Sequence, residues 1–425
     1  MHAQTYYAAT RREPNDHPPL SGRHRARVAI VGGGYAGLAT ALGLAERGID
    51  DVLLLEAQSI GFGASGRNGG FVFGGYSLDE AALQQKVGSE TARWMYELTR
   101  NAVGTIRQRI DQYSIDCDRV DAGVIWANWF DDPSLLESHR HLLAQQFGTD
   151  WSPISRDQLR QQLLSSRYHG GLFEADAFHV HPLNLALGMA RAAQSLGVRV
   201  HADSAVTSVE RRDGRWQLRT AQGEVDADQV VVAGGGYLKG LVPALQRAIL
   251  PIATYVAVTE PLGARLDQAI RTRAAVYDTR FAFDYYRALP DTRLLWGGRI
   301  SILNRTPEAV ARLLKRDIAR VYPQLGEVRI DYAWSGLMSY ARHEMPQLGQ
   351  LQPGLWFAQA FGGHGVATTT AIGELLAAGI AGDDSWRRFA PFGLTRTWRP
   401  FGFVGAQATY SWLQARDAWK ERTSL

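Results

Sequence analysis

The feature that most constrains this chain is Gly32-x-Gly34-x-x-Gly37, set between the run Val28-Ala29-Ile30-Val31 and a stretch from Leu38 to Arg47 with apolar residues three and four apart. The first is the pattern of a buried strand, and the second that of a helix, which Gly48 stops. Each glycine of the motif has its own reason. Gly32 permits the tight turn, Gly34 lets the backbone approach a pyrophosphate, and Gly37 lets helix and strand pack closely. A second buried strand, Val52–Leu55, ends on Glu56, 19 residues after Gly37, where a carboxylate accepts hydrogen bonds from ribose hydroxyls. Together these form a βαβ unit that binds a dinucleotide, with the anion resting on unpaired N–H groups at the helix N-terminus.

That unit does not choose between FAD and NAD, but three further segments favour FAD. Ala57 and then Gly61-Phe62-Gly63-Ala64-Ser65-Gly66-Arg67-Asn68-Gly69-Gly70 follow the acid directly. So many small residues let the chain run close to a cofactor, while Ser65, Arg67 and Asn68 supply polar contacts. A buried strand over residues 230–233 runs into Gly234-Gly235-Gly236, and Val206 opens an earlier strand of the same region. Third, residues 357–361 lead through Gly362, Gly363, His364 and Gly365 into a helix from Val366. A helix N-terminus there stabilises negative charge on a reduced flavin.

Composition excludes several alternatives. With 45% hydrophobic and 21% charged residues, the 425-residue chain is neither disordered nor fibrous. A formal charge of +4, without a Lys/Arg-rich patch interleaved with aromatics, gives no case for nucleic acid. Cys117 stands alone, so no intramolecular disulfide or Cys-cluster metal site is expected, and adjacent His343 and Glu344 lack metal-ligand spacing. A reducing cytoplasm is the natural compartment. No apolar run reaches roughly 18 residues, and the first 27 residues lack a signal-peptide core.

These elements predict an α/β fold, a Rossmann-like FAD-binding domain of the glutathione-reductase type with a β-sheet-rich α+β substrate domain. Its expected parts are an arm over 1–25, a discontinuous FAD domain over 26–100, 170–240 and 340–382, a substrate domain over 101–169 and 241–339, and an extension over 383–425. Near the end, Val404, Ala408, Trp412, Ala415 and Trp419 form one apolar helical face, with Arg396, Arg399, Arg416, Lys420 and Arg422 on or beside it. This face is expected to pack on the protein's own core. The alternative is a helix lying in a membrane interface.

The order of the glycine motif, Leu55-Glu56-Ala57, the 61–70 loop, His179-Val180-His181-Pro182-Leu183-Asn184-Leu185-Ala186 and Gly362-Gly363-His364-Gly365-Val366 resembles the FAD-dependent D-amino-acid oxidase/glycine oxidase superfamily. The closer likeness, to polyamine-oxidising members, also rests on Tyr6-Tyr7-Ala8-Ala9, Ile115-Asp116-Cys117-Asp118, Asp284-Tyr285-Tyr286-Arg287 and Met345-Pro346-Gln347-Leu348-Gly349, and spans nearly the whole chain. The resemblance implies oxidation of an amine C–N bond, of γ-glutamylputrescine or a related polyamine. The amine carbon gives a hydride equivalent to the flavin, the imine hydrolyses, and O2 accepts the electrons as H2O2. It also implies non-covalent FAD. Covalent attachment in the superfamily uses Cys or His near the flavin ring, yet Cys117 lies outside the flavin motifs and no histidine occurs between Ile30 and Gln112.

The reacting amine must be neutral, which a desolvated aromatic pocket favours, so no dedicated base is obligatory. Candidate pocket residues are Tyr255, Tyr285, Tyr286, Trp296, Trp334 and His364, with Tyr286 and His364 foremost. For each aromatic, core packing is the competing explanation. Two departures from the family pattern stand out. Phe71 replaces a common Gln, and Arg299 follows Trp296-Gly297-Gly298 where an uncharged residue is usual. Arg299 or Arg67 would hold a carboxylate if the substrate were an amino acid or secondary amine such as pipecolate or sarcosine. A tRNA-modifying flavoprotein and a subunit active only within a complex are the remaining alternatives. The expected partners are thus a small amine and O2, without nucleic acid or stable membrane insertion.

Overall fold

The computed structural model describes residues 4–399 and 401–423. Five strands run parallel in the order Leu355–Gln359, Gly223–Val232, Gly22–Val31, Val52–Leu55 and Arg199–His201, and Gln347–Gln352 adds an antiparallel edge. Alternate residues serve two cores. Val28, Ile30, Leu54 and Val231 face the helical layer, while Ala29, Val31, Leu53, Val230 and Val232 face the other side. Burial on both faces explains why these strands read as unbroken apolar runs. The first half of Gly223–Val232 instead pairs with Arg215–Arg219, which pairs with Ser208–Arg212 through the Asp213-Gly214 turn, as its sequence predicts.

The helical layer is built by Tyr35–Glu46, Ser89–Gln112, Pro182–Ser195 and Gly365–Ile380. Gly373 sets the spacing of the first and last, because a Cβ there would sit 2.6 Å from Ala39 Cβ and 2.8 Å from Thr40 N.

A second sheet has the order Ile330–Tyr340, Leu250–Thr259, Leu294–Ser301, Asp284–Ala288, Ala275–Asp278, Val124–Ala127, Gly171–Glu174 and Ser152–Ile154. It is antiparallel except where Ala275–Asp278 meets Val124–Ala127. The helix Pro307–Val321 seals one face of it with Val310, Leu314, Ile318 and Val321.

Two elements cut across the expected segments. Ser89–Gln112 is one helix that runs through residue 100 without a break, because the stripe Ala92, Met95, Thr99, Ala102, Val103, Ile106 and Ile110 continues without a break. Gly171–Glu174 pairs with Val124–Ala127 in the second sheet, apart from the rest of 170–240.

The C-terminal segment also departs from expectation. The helix Phe401–Thr423 lies on the protein, but Val404, Trp412 and Trp419 are exposed. The opposite, mixed side makes the contact and half-buries Phe403, Tyr410 and Leu413, with Tyr410 5.6 Å from the Phe281 ring. Asp417 accepts from the Phe281 N–H at 2.7 Å, Lys420 donates to Asp132 at 2.8 Å, and Glu421 pairs with Arg167 at 3.0 Å. These charge-assisted bonds act together with the half-buried apolar residues of the same side in choosing which face docks.

Candidate active site

Because the five parallel strands point the same way, the turns after them meet at one edge of the sheet. Gly32 adopts φ +120°, and a Cβ there would lie 2.5 Å from the Ala233 carbonyl oxygen, so the first glycine turn and the turn at Gly234 abut. Gly37 is as constrained, since its Cβ would reach 2.0 Å from the Gly32 oxygen. Above Gly34 the nearest atom a Cβ would meet is Ser65 Oγ at 3.0 Å. That hydroxyl accepts from the Tyr35 N–H at 2.9 Å, where the helix N-terminus opens.

Glu56 ends its strand with one carboxylate oxygen accepting from Gly33 N–H at 2.7 Å and the other from Gln58 N–H at 2.9 Å. Burial raises its pKa, against the lowering effect of these N–H donors. Ala57 beside it is exposed, and the Ser204 N–H donates to the Glu56 carbonyl at 2.8 Å, which brings the segment leading to half-buried Val206 alongside.

The 61–70 loop folds back on itself, with a Cβ on Gly66 only 2.4 Å from the Gly61 oxygen and Gly63 facing the Tyr237 ring. Asn68 shapes this loop. Its amide donates to the Ala64 and Ser65 carbonyls at 3.0 and 2.9 Å and accepts from Gly70 N–H at 2.8 Å, so its side chain is spent within the loop. Arg67 lies 4.6 Å over the Phe62 ring and reaches the Ser335 carbonyl at 3.3 Å. Trp334 donates its indole N–H to the Arg67 carbonyl at 2.9 Å, and Tyr285 covers Gly69.

At the third turn, Gly362 takes φ +58° and Gly363 N–H donates to Ser77 Oγ at 2.9 Å. His364 then caps the helix that begins at Gly365, with Val366 buried below it. The His364 ring meets Phe73 edge-on at 5.0 Å, and Phe73 stacks on Tyr277 at 5.6 Å. His364 Nδ1 is buried with no hydrogen-bond partner, and burial pushes the ring's pKa down to about 4, so it is neutral at pH 7. Burial, foremost, raises the pKa of the Tyr277 phenol, whose neighbours include Glu174 and Glu80. Burial raises Glu174 to about 8 and Glu80 to about 7, and Glu174 Oε2 is also unpartnered.

Four candidates lie away from this edge. Tyr286 stacks on Trp296 at 4.3 Å and shares hydroxyl hydrogen bonds with Tyr168 and Tyr322 at 3.0 and 3.1 Å, within the core beneath Pro307–Val321. Tyr255 belongs to the same core and donates to the Leu303 carbonyl. Adjacent strand residues point to opposite faces, so Tyr285 stands on the site side and Tyr286 behind it. Arg299 also turns outward, held by Asp317 of that helix with Nε at 3.0 Å. Tyr285, Trp334, His364 and Arg67 remain on the cofactor edge. Sequence reasoning passed over Phe73, Ser77, Glu80 and Glu174. The alternation of Phe71 and Phe73 after the glycine loop is a strand signal, but nothing in the sequence joins Glu80 to Glu174.

These residues fit FAD. The abutting glycine turns and Glu56 would hold its adenosine-diphosphate half, and the 61–69 loop with the Gly362–Val366 turn would flank its ring, where His364 leaves a buried nitrogen unpartnered.

The sequence model described as FAD dependent oxidoreductase matches residues 27–378. The chain is 38% identical over 419 residues to the gamma-glutamylputrescine oxidoreductase of Escherichia coli K12, covering 96% of this chain and 98% of that one. It is 33% identical to a probable oxidoreductase of Haemophilus influenzae, covering 90% and 89%. Among solved structures, glycine oxidase of Geobacillus kaustophilus superposes with a TM-score of 0.72 at 21% identity, covering 88% and 99%.

Three outcomes follow from this geometry. Glu56→Ala should weaken cofactor affinity by about 1–3 kcal/mol through lost charge-assisted hydrogen bonds. A flavin titration of the apoprotein measures this, and unchanged affinity would leave Glu56 as a strand-end residue. Tyr286→Phe should cost about 1–2 kcal/mol of stability, read from denaturant melts, while leaving turnover intact, because it breaks a buried hydroxyl network outside the site. A turnover loss with normal stability would return Tyr286 to the pocket. The third outcome concerns pH. Glu80 and Glu174 hold protons in the native state that the unfolded chain releases, so their contribution to stability is full below about pH 4.5 and lost as pH rises toward about 8. Glu174→Gln should therefore gain in Tm over the wild type between pH 5 and 8.5, and parallel Tm profiles would contradict this.

Proposed function

Because the chain belongs to the FAD-dependent oxidoreductase family, we propose that it oxidises the terminal amine of γ-glutamylputrescine or a closely related polyamine, with O2 as the acceptor. It is an FAD-dependent amine oxidoreductase. The finer reading rests foremost on the near full-length likeness to the E. coli gamma-glutamylputrescine oxidoreductase, in which both chains are covered almost end to end. FAD, held non-covalently, supplies the two-electron acceptor for the amine carbon, the imine hydrolyses to an aldehyde, and O2 leaves as hydrogen peroxide.

The chain's own residues act on the amine before that step. Phe71, Phe73, Tyr277 and Tyr285 form a connected set of ring contacts beside the Gly69 and His364 turns. Such a wall excludes water and favours the neutral amine. Neutral His364, with Nδ1 unpartnered, supplies a hydrogen-bond acceptor for an amine N–H.

A carboxylate-bearing substrate has less support. Arg299 is committed to Asp317, and buried Arg287 donates to the Gly69 and Val180 carbonyls at 2.8 Å each. Arg67, with its long 3.3 Å hydrogen bond, carries the second reading, oxidation of an amino acid or secondary amine.

Anaerobic bleaching of the holoenzyme's flavin separates the two. γ-Glutamylputrescine should bleach it fastest in a panel with putrescine, pipecolate, sarcosine and D-amino acids, and air should then restore the colour with release of peroxide. Bleaching by the carboxylated amines alone would sink the polyamine reading, and flavin that stays reduced in air would sink the oxidase reading. Acid denaturation should free all the yellow chromophore, whereas fluorescence left in the pellet would point to attachment at His364.

A further inference from the structure

We propose that the outer face of the C-terminal helix Phe401–Thr423 is a docking surface for an anionic lipid bilayer, on which the enzyme lies without crossing. Exposure is the first observation. Among the described residues, the exposed large apolar side chains are Trp398, Phe401, Val404, Trp412 and Trp419, at 64–79%, together with Leu196 and Leu303. All but the last two fall within residues 398–419. An apolar stripe on a surface helix ordinarily turns to the core, and a contiguous exposed one marks an interaction surface. Here the helix is held by its opposite side, through half-buried Phe403, Gln407, Tyr410 and Leu413 and the charged Asp417, Lys420 and Glu421, so the stripe is left outside.

Charge identifies the occupant. Both acids of the helix are turned inward and engaged, Asp417 by the Phe281 N–H and Glu421 by Arg167 and Arg320. Its exposed positions from 401 to 422 carry no carboxylate, but they do carry Arg416 and Arg422. Arg396, just ahead of the helix, is exposed as well. Such a face, apolar and tryptophan-bearing with only cations at its margin, suits a headgroup region. There the indoles sit at the apolar boundary and arginines reach the phosphates. A second copy of the chain fits less well. A twofold interface would set this face against itself, and neither copy would offer a carboxylate to the other's Arg416 and Arg422. No helix among the described residues is long and apolar enough to cross a membrane, so the contact is interfacial.

The test uses the full-length holoenzyme with vesicles of phosphatidylcholine alone and of phosphatidylcholine with phosphatidylglycerol. Co-sedimentation at physiological salt is expected with the anionic vesicles, with a blue shift of tryptophan emission, and should weaken as salt is raised. The double variant Val404→Glu, Trp412→Glu should bind about tenfold or more weakly, with flavin content and amine oxidation unchanged, because both side chains are exposed on the side of the helix turned away from the protein. Absence of wild-type binding to anionic vesicles overturns the proposal, as does a double variant that binds like the wild type. A wild-type dimer that the double variant converts to monomer, without vesicle binding, also overturns it and assigns the face to a second copy.

Discussion

The structure depends on one close approach. The Gly32 turn and the Ala233-Gly234 turn lie in van der Waals contact, at a distance that leaves no room for a Cβ. Two parallel neighbours, Gly22–Val31 and Gly223–Val232, must therefore end together, and they do so through a pairing that runs from Gly22↔Gly223 to Val31↔Val232. Once that register is set, the strands on either side place Glu56 and the His364 turn on the same edge. Long-range assembly of the cofactor site is thus a consequence of strand direction.

This is also why the cofactor edge was legible in the sequence. Its signals are local. A glycine is demanded where φ is positive or a carbonyl is close, and an acid is demanded at a strand end. Gly32, Gly37, Glu56 and Gly362 each answer such a demand within a few residues of chain. The parallel strands announce themselves by apolar runs, because both of their faces are covered.

The second sheet was less legible for a physical reason. Its aromatic residues are dense on both faces, so composition does not say which ones face the cofactor. Only the phase of the alternation decides, and a one-residue shift exchanges Tyr285 for Tyr286. Arg299 shows the same limit. An arginine after a Gly-Gly pair suits either a pocket or an ion pair, and the choice lies with Asp317, 18 residues on, in a helix whose face the sequence alone does not orient. The approach of Glu174 to the Gly74 backbone and of Glu80 to Gly75 is still more remote, since it needs the helical layer and the second sheet to be assembled first.

The C-terminal helix carries the same reasoning to its end. Apolar periodicity finds a stripe but not what covers it. The usual assumption that the stripe faces inward treats burial as the only force acting on a helix. Here the competing face offers Asp417, Lys420 and Glu421 to partners already waiting at the Phe281 N–H, Asp132 and Arg167. Turning the helix over would strand these charges and leave Arg167, stacked 4.0 Å from the Trp129 ring, without its carboxylate. Turning it would also expose Phe403, Tyr410 and Leu413, which this side half-buries, so ion pairs and apolar contact hold the same side inward. That mixed side therefore fixes the orientation, and Val404 and Trp412 are left on the exposed face.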